Sequence, residues 1–401
     1  MGPKLRDALK VFLVSTAWCE FPPEGYGGIE TVIWNIILGA KRAGLNIKFS
    51  AFSLRDTARH PAVIELGIRI WYLFKKGLYE RHITDSDNKP YIESSQALAV
   101  YFRLKQLLER QRIDLIHDHT HTGFSTIAAA MQDRPPILMT LHGPLAGEFV
   151  SAYFELLRNV EGIYFNSISN NQQKGIDLPF VGTVHNGIDT KMFPYQRKKF
   201  SPPYLFHIGR ITRDKGQDKA IEVARALGMN LVIAGRVEKT LEAQEYWKEQ
   251  IKPQIDVPAN EHKDPLHSTI LELRNGGPKV IYLGQADFEQ KVVLFRGATV
   301  SLMPIMWDEP FGLVVPEAMA CGTPVVAFNR GAMPEIIKHG ETGFLVNDVR
   351  EMVAAVKKIN ETSCRACRKR VEDNFSAESM ARGYKRLYQK VLRLEEIRKS
   401  G

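Results

Sequence analysis

Short apolar runs alternate with stretches whose apolar residues recur every three to four positions, and the alternation spans nearly the whole chain. Val11–Ala17, Ile47–Phe52, Asp114–His117, Ile137–Thr140, Ile163–Asn166 and Val181–Val184 are short runs that read as strands. Ile29–Ala43 has the helical period, with Gly44 placed to end it, and Ala97–Arg110 repeats that pattern. Runs this short and apolar suit strands buried on both faces of a parallel sheet, with helices as the crossovers. A polar, basic, proline-containing stretch, Tyr195–Pro203, then reads as a linker. Beyond it the alternation restarts with strand Tyr204–Ile208, a helix to Leu227, strands Leu231–Ala234 and Lys279–Leu283, and a helix to Gly297. The runs Thr299–Met303, Pro324–Phe328 and Gly343–Val346 complete it, with a helix-like segment up to Cys321 between the first two. From Ser376 a last helix carries Met380, Tyr384, Leu387, Val391 and Leu394 on one stripe. The pattern predicts an α/β fold of two doubly wound, Rossmann-like domains, residues 1–198 and 199–375, followed by a C-terminal helix over 376–401.

Composition narrows the class. A length of 401 residues with 44% hydrophobic content suits two or three soluble globular domains. No apolar run reaches the length of about 18 residues that a spanning helix needs. The first run, Val11–Ala17, lacks a small-residue cleavage site, so a cytoplasmic protein is expected. Four cysteines are too few for a disulfide framework, and Cys364-x-x-Cys367 lies in a basic, helical stretch with no second pair. The net charge is +9, and Arg365–Lys399 alone holds eleven Lys or Arg against five Asp or Glu. Such a patch suits phosphorylated substrates or peripheral contact with an anionic membrane surface; no nucleic-acid motif accompanies it.

Candidate chemistry collects at strand ends, where parallel sheets bind ligands. After Met303 the chain reads Trp307-Asp308-Glu309-Pro310-Phe311-Gly312, then enters a helix carrying Glu317. A carboxylate there is favoured by the helix dipole and offers two acceptors to a vicinal diol. Arg210 and Lys215 bracket the loop after Tyr204–Ile208, where an anion would need cations. Gly27 and Gly28, in the loop before the first helix, allow backbone N–H groups close to an anion. His117-Asp118-His119 and His142 stand at two further strand ends. The polar Asp85-Ser86-Asp87 reads as a loop accident, and Leu66–Leu78, rich in aromatic and basic residues, as core packing with snorkelling lysines.

The string EPFGLVVPEAMACGTPVV, with Glu309 and Glu317 at its E-x7-E positions, resembles the signature of retaining glycosyltransferases of family 4. The glycine loop, the histidine-bearing strand ends, the Gly209-Arg210 to Lys215-Gly216 segment and Asn186-Gly187-Ile188-Asp189 extend the resemblance over most of the chain. It weakens over residues 53–95 and 256–278. The resemblance implies the GT-B fold, two domains facing a cleft with the C-terminal helix crossing back to the first, acceptor-side domain. It implies transfer of a hexosyl group, with retention, from a nucleoside-diphosphate sugar to a hydroxyl acceptor, without metal or other cofactor. By the same resemblance His142, Glu309, Arg210 and Lys215 are catalytic. Gly27, Gly28, Arg210, Lys215, Phe311, Gly312, Leu313 and Glu317 bind the donor. A nucleotide-sugar epimerase or a phosphorylase could share the fold, as could a non-catalytic nucleotide-sugar-binding protein. A nicotinamide dehydrogenase is disfavoured because GYGGIE lacks the G-x-G-x-x-G spacing.

Overall fold

The computed structural model describes residues 7–23, 27–76, 89–120, 123–131, 133–145, 147–259 and 264–400. Asp85-Ser86-Asp87 and Gly25 lie outside them. Two compact units form: Met1–Gly187 together with Ser376–Gly401, and Ile188–Phe375.

The first unit is built on seven parallel strands: β1 Leu9–Val14, β2 Ile47–Ser53, β3 Arg69–Tyr72, β4 Leu115–Asp118, β5 Ile137–Leu141, β6 Ile163–Ser167 and β7 Phe180–Thr183. Their order is β3-β2-β1-β4-β5-β6-β7. The second unit has six parallel strands: β8 Tyr204–Ile208, β9 Asn230–Ala234, β10 Val280–Gly284, β11 Val300–Met303, β12 Val325–Phe328 and β13 Gly343–Val346. These are ordered β10-β9-β8-β11-β12-β13. Each sheet therefore reverses its winding at one point, between β1 and β4 in the first and between β8 and β11 in the second. Every residue of β4, β5, β9, β11 and β12 is buried, the expected consequence of helices on both faces.

Four helices frame the candidate sites: α1 Gly28–Arg42, α2 Gln217–Leu227, α3 Val314–Ala320 and α4 Ala377–Ser400. Helix α1 buries Val32, Ile33, Ile36, Ile37 and Ala40, an amphipathic stripe, and α4 packs against α1 within the first unit. The approach is close enough to require a glycine. A Cβ on Gly39 would lie 2.0 Å from the Ala377 carbonyl oxygen.

Three expectations need correction. Tyr195–Pro203 is not a linker: Gln196 N–H donates to the Cys321 carbonyl at 3.1 Å and Phe200 N–H to that of Gly297 at 2.9 Å. These bonds fix the segment to the second unit, which begins at Ile188. Of the 66–78 stretch, Arg69–Tyr72 form the edge strand β3, where Trp71 packs on Phe12 but Tyr72 and the following Leu73 are exposed; Gly77 and Leu78 lie outside the described residues. The stripe of the last helix drifts, so Leu394 is only partly buried while Glu395 is buried. Glu395 accepts from Tyr164 Oη at 3.0 Å and from Arg398 at 2.7 and 3.0 Å, and the Arg398 bond foremost pulls its pKa down to about 2. The 256–278 stretch is tied to the second sheet through Asp256, which accepts from Val280 N–H at 2.7 Å, and contains a helix, Pro265–Arg274. Among the described residues no helix is long and apolar enough to cross a membrane.

Candidate functional site

In the second unit, the loops after β8 and β11 meet at the winding reversal. Gly216 has φ +70°, and a Cβ there would come 2.1 Å from the Pro304 carbonyl oxygen, so only glycine lets the two loops close. Met306 N–H then donates to the Asp214 carbonyl at 2.8 Å. This brings Lys215 Nζ to 2.5 Å from Glu309 Oε2 and 4.9 Å from the centre of the Trp307 ring. Both partners of the ion pair are largely buried, their side chains 14% and 16% exposed. The β11 loop is held from its other side, where Ala332 N–H donates to the Glu309 carbonyl at 2.9 Å and Gly331 N–H to Asp308 Oδ1 at 3.2 Å. Trp307 Nε1 is buried without a hydrogen-bond partner.

Arg210 stands apart from that pair. Its guanidinium is 44% exposed and lies 3.7 Å from Glu238, which Arg236 engages at 3.0 Å. The backbone carbonyl of Arg210 accepts from buried Gln217 Nε2 at 2.8 Å, which fixes the loop more firmly than the side chain. Below it His207 is buried, with Nδ1 2.9 Å from the Leu302 carbonyl. Burial foremost, with the charge of Lys215, lowers its pKa to about 4.

Glu317 lies in the first turn of α3 and is 6% exposed. Lys291 Nζ binds its Oε1 at 3.0 Å, while Oε2 is buried without a partner. Lys291 in turn lies over the rings of Phe193 and Phe288, at 5.4 and 5.2 Å. A buried carboxylate oxygen with no partner is costly, and a ligand donor would remove that cost. Phe311 holds the loop by packing. Its side chain is 2% exposed and packs edge-on against Phe375 at 5.9 Å, which makes it an anchor of the loop. Gly312 and Leu313, half-buried, carry the chain from that anchor into α3.

In the first unit, Gly27 caps α1, and a Cβ on Gly28 would meet nothing within 4 Å. Behind them Glu30 is buried and accepts a hydrogen bond from Thr16 Oγ1; burial raises its pKa. At the ends of β4 and β5, His119 Nδ1 lies 2.9 Å from His142 Nε2 with the rings stacked. One ring must donate and the other accept, so the pair cannot carry two charges at this spacing. His117 points the other way, to Tyr388 Oη at 2.8 Å and Thr140 Oγ1 at 2.6 Å, and burial holds its pKa well below the usual histidine value. It is a packing residue. Gln172 fixes the His142 loop, donating to the carbonyls of Leu141 and Gly143 at 2.9 and 2.8 Å. Among the described residues no group of three His, Cys, Asp or Glu is placed to hold a metal ion.

The structure thus joins Lys215 to Glu309 and His119 to His142, and adds Lys291, Trp307, Glu30 and Gln172. Lys291 lies far from Glu317 in sequence and has no local signature. Its only hint is Phe288 one helical turn earlier.

Residues 189–374 match the family profile of glycosyl transferases group 1, and residues 26–191 that of glycosyltransferase family 4. Glycogen synthase of Mycobacterium tuberculosis is 26% identical over 418 aligned positions, covering 95% of this chain and 94% of that protein. Among solved structures, sucrose-phosphate synthase from Thermosynechococcus elongatus superposes with a TM-score of 0.70 at 20% identity, covering 96% of this chain and all of that one, 100%. An Anabaena protein crystallised with UDP and glucose gives 0.64 at 18%, over 94% and 98%. With both sheets, the signature segment and both profiles in agreement, the chain belongs to glycosyltransferase family 4 and has the GT-B fold.

Proposed function

We propose that the protein moves a hexosyl group from a nucleoside-diphosphate sugar to a hydroxyl acceptor, with retention at the anomeric carbon and without a metal. The observation that carries this reading is the unpartnered Oε2 of Glu317, buried at the winding reversal that also holds the Lys215–Glu309 pair. Oε2 accepts from the ribose diol, and Lys291 positions the carboxylate through Oε1. Lys215 meets the diphosphate, with Arg210 as a second, more exposed cation. Glu309 then turns to the sugar hydroxyls, and Gly312 and Leu313 line the same loop end. In the first unit the reading assigns His142 to the donor sugar or phosphate and Gly27–Gly28 to an anion. The donor ligands of the Anabaena protein support the substrate class.

In the step itself the bond from the anomeric carbon to the diphosphate oxygen breaks as the acceptor oxygen bonds to the same face. The acceptor proton passes to the departing phosphate. Charge therefore builds on the diphosphate, where preorganised cations stabilise it most. The reading is tested by assaying transfer in EDTA and determining the product's anomeric configuration by NMR. Undiminished transfer and a product with the donor's configuration are expected. Inversion, or loss in EDTA that manganese restores, would overturn it.

A further inference from the structure

The amino-terminal edge of the first sheet, opposite the strand ends that bear His119 and His142, holds a cavity of about 780 Å³. Five basic side chains from separate segments line it: Lys10 in β1, Lys41 in α1, Lys48 in β2, Arg69 in β3, and Arg112 ahead of β4. No Asp or Glu is among the described lining residues. Arg112 is neutralised by Asp114 at 2.5 Å, and among the described residues Arg69 makes only a 3.5 Å contact with Gln111. Lys41 is accounted for in part by the carbonyl end of α1. Lys10 and Lys48 have no such account. They are register partners on adjacent parallel strands, so they stand side by side on one face about 4.8 Å apart at the backbone. Like charges so placed destabilise a sheet. Neither forms an ion pair among the described residues. Concave walls focus this single-signed charge and raise the local anion concentration. The volume falls within the range of about 300–1,000 Å³ usual for small-molecule sites.

We propose that this cavity binds a phosphate-bearing ligand, with Lys10, Lys48 and Arg69 as the phosphate contacts. The lysines supply point charges and the Arg69 fork two parallel donors, the combination that suits a phosphate ester. Ile37, Phe49 and Ile68 add apolar surface to the lining, so the phosphate can belong to a free metabolite or to a lipid headgroup.

The test compares the full chain with Lys10→Glu/Lys48→Glu, and with Lys10→Gln/Lys48→Gln as the gentler change. All are made in a Lys215→Ala/Arg210→Ala background, which removes both cations that the proposed function places on the diphosphate in the second unit. Tripolyphosphate is titrated calorimetrically, and sedimentation is followed with vesicles of equal parts phosphatidylcholine and phosphatidylglycerol. At least one probe is expected to bind the parent and to lose about a hundredfold in affinity on charge reversal, with the glutamine pair intermediate. Melting temperatures should not fall: Lys10 and Lys48 are exposed, the glutamate pair replaces one like-charged pair with another, and the glutamine pair relieves the repulsion. A response to tripolyphosphate alone identifies a free ligand, and a response to vesicles alone a headgroup. Equal binding by parent and charge-reversed chains, or no binding of either probe, overturns the proposal.

Discussion

Replacing Lys215 with alanine is expected to lower kcat by about a hundred- to a thousandfold and to leave KM nearly unchanged. The ammonium is held rigidly by Glu309 at 2.5 Å and the Trp307 ring at 4.9 Å, on a loop whose closure depends on Gly216. Such a group is in place before charge develops and interacts more strongly with the departing diphosphate than with the intact donor. The substitution also leaves Glu309 without its cation, so a structural cause must be separated from a catalytic one. Lys215→Ala/Glu309→Gln removes both charges and should recover any lost thermal stability. The account requires its rate to remain low. Steady-state kinetics on the single and double variants decide this, and recovery of rate in the double variant would reduce Lys215 to a structural partner.

Deleting Ser376–Gly401 is expected to abolish cooperative folding of the first unit. Met380, Tyr384, Leu387, Tyr388 and Val391 are all buried, Leu387 the least so at 7% exposure. At about 1.5–3 kcal/mol for each buried side chain the loss is on the order of 10 kcal/mol. That is comparable with the whole stability of a typical domain. Truncation would also strip the Tyr388 hydroxyl from His117, leaving a buried ring nitrogen unpaired, and expose the face of α1 that α4 covers. Differential scanning calorimetry should show one transition missing, with aggregation. A soluble, active truncated chain would contradict the assignment of α4 as part of the first unit's core.

The two sheets were legible because their strands are buried on both faces, which leaves unbroken apolar runs such as Tyr204–Ile208. The edge strand β3 was not, since an exposed edge carries Arg69 and Tyr72 and has no such run. Tyr195–Pro203 misled for a related reason: its attachment to Cys321 and Gly297 is made by backbone atoms, which leave no mark on side-chain composition. In the candidate site, Glu309, Glu317 and Lys215 stood out through their dense local motifs. Their partners did not. Lys291 and Gln172 act on Glu317 and on the His142 loop from distant helical turns, and only the fold brings them there. Phe311, inside the same string, packs its side chain against Phe375.

The central claim is that Glu317 anchors a nucleotide sugar at the carboxyl edge of the second sheet. It is tested most directly by melting the wild-type chain and Glu317→Ala against a panel of UDP-, GDP- and ADP-sugars. A ligand that binds only the folded state adds about 2.7 kcal/mol at a hundred times its Kd. The account predicts that one nucleotide class raises the wild-type melting temperature. The same concentration should give Glu317→Ala at most about half that stabilisation, because its affinity falls by roughly ten- to a hundredfold with the ribose contact. No shift with any donor, or equal shifts in the two chains, would contradict it.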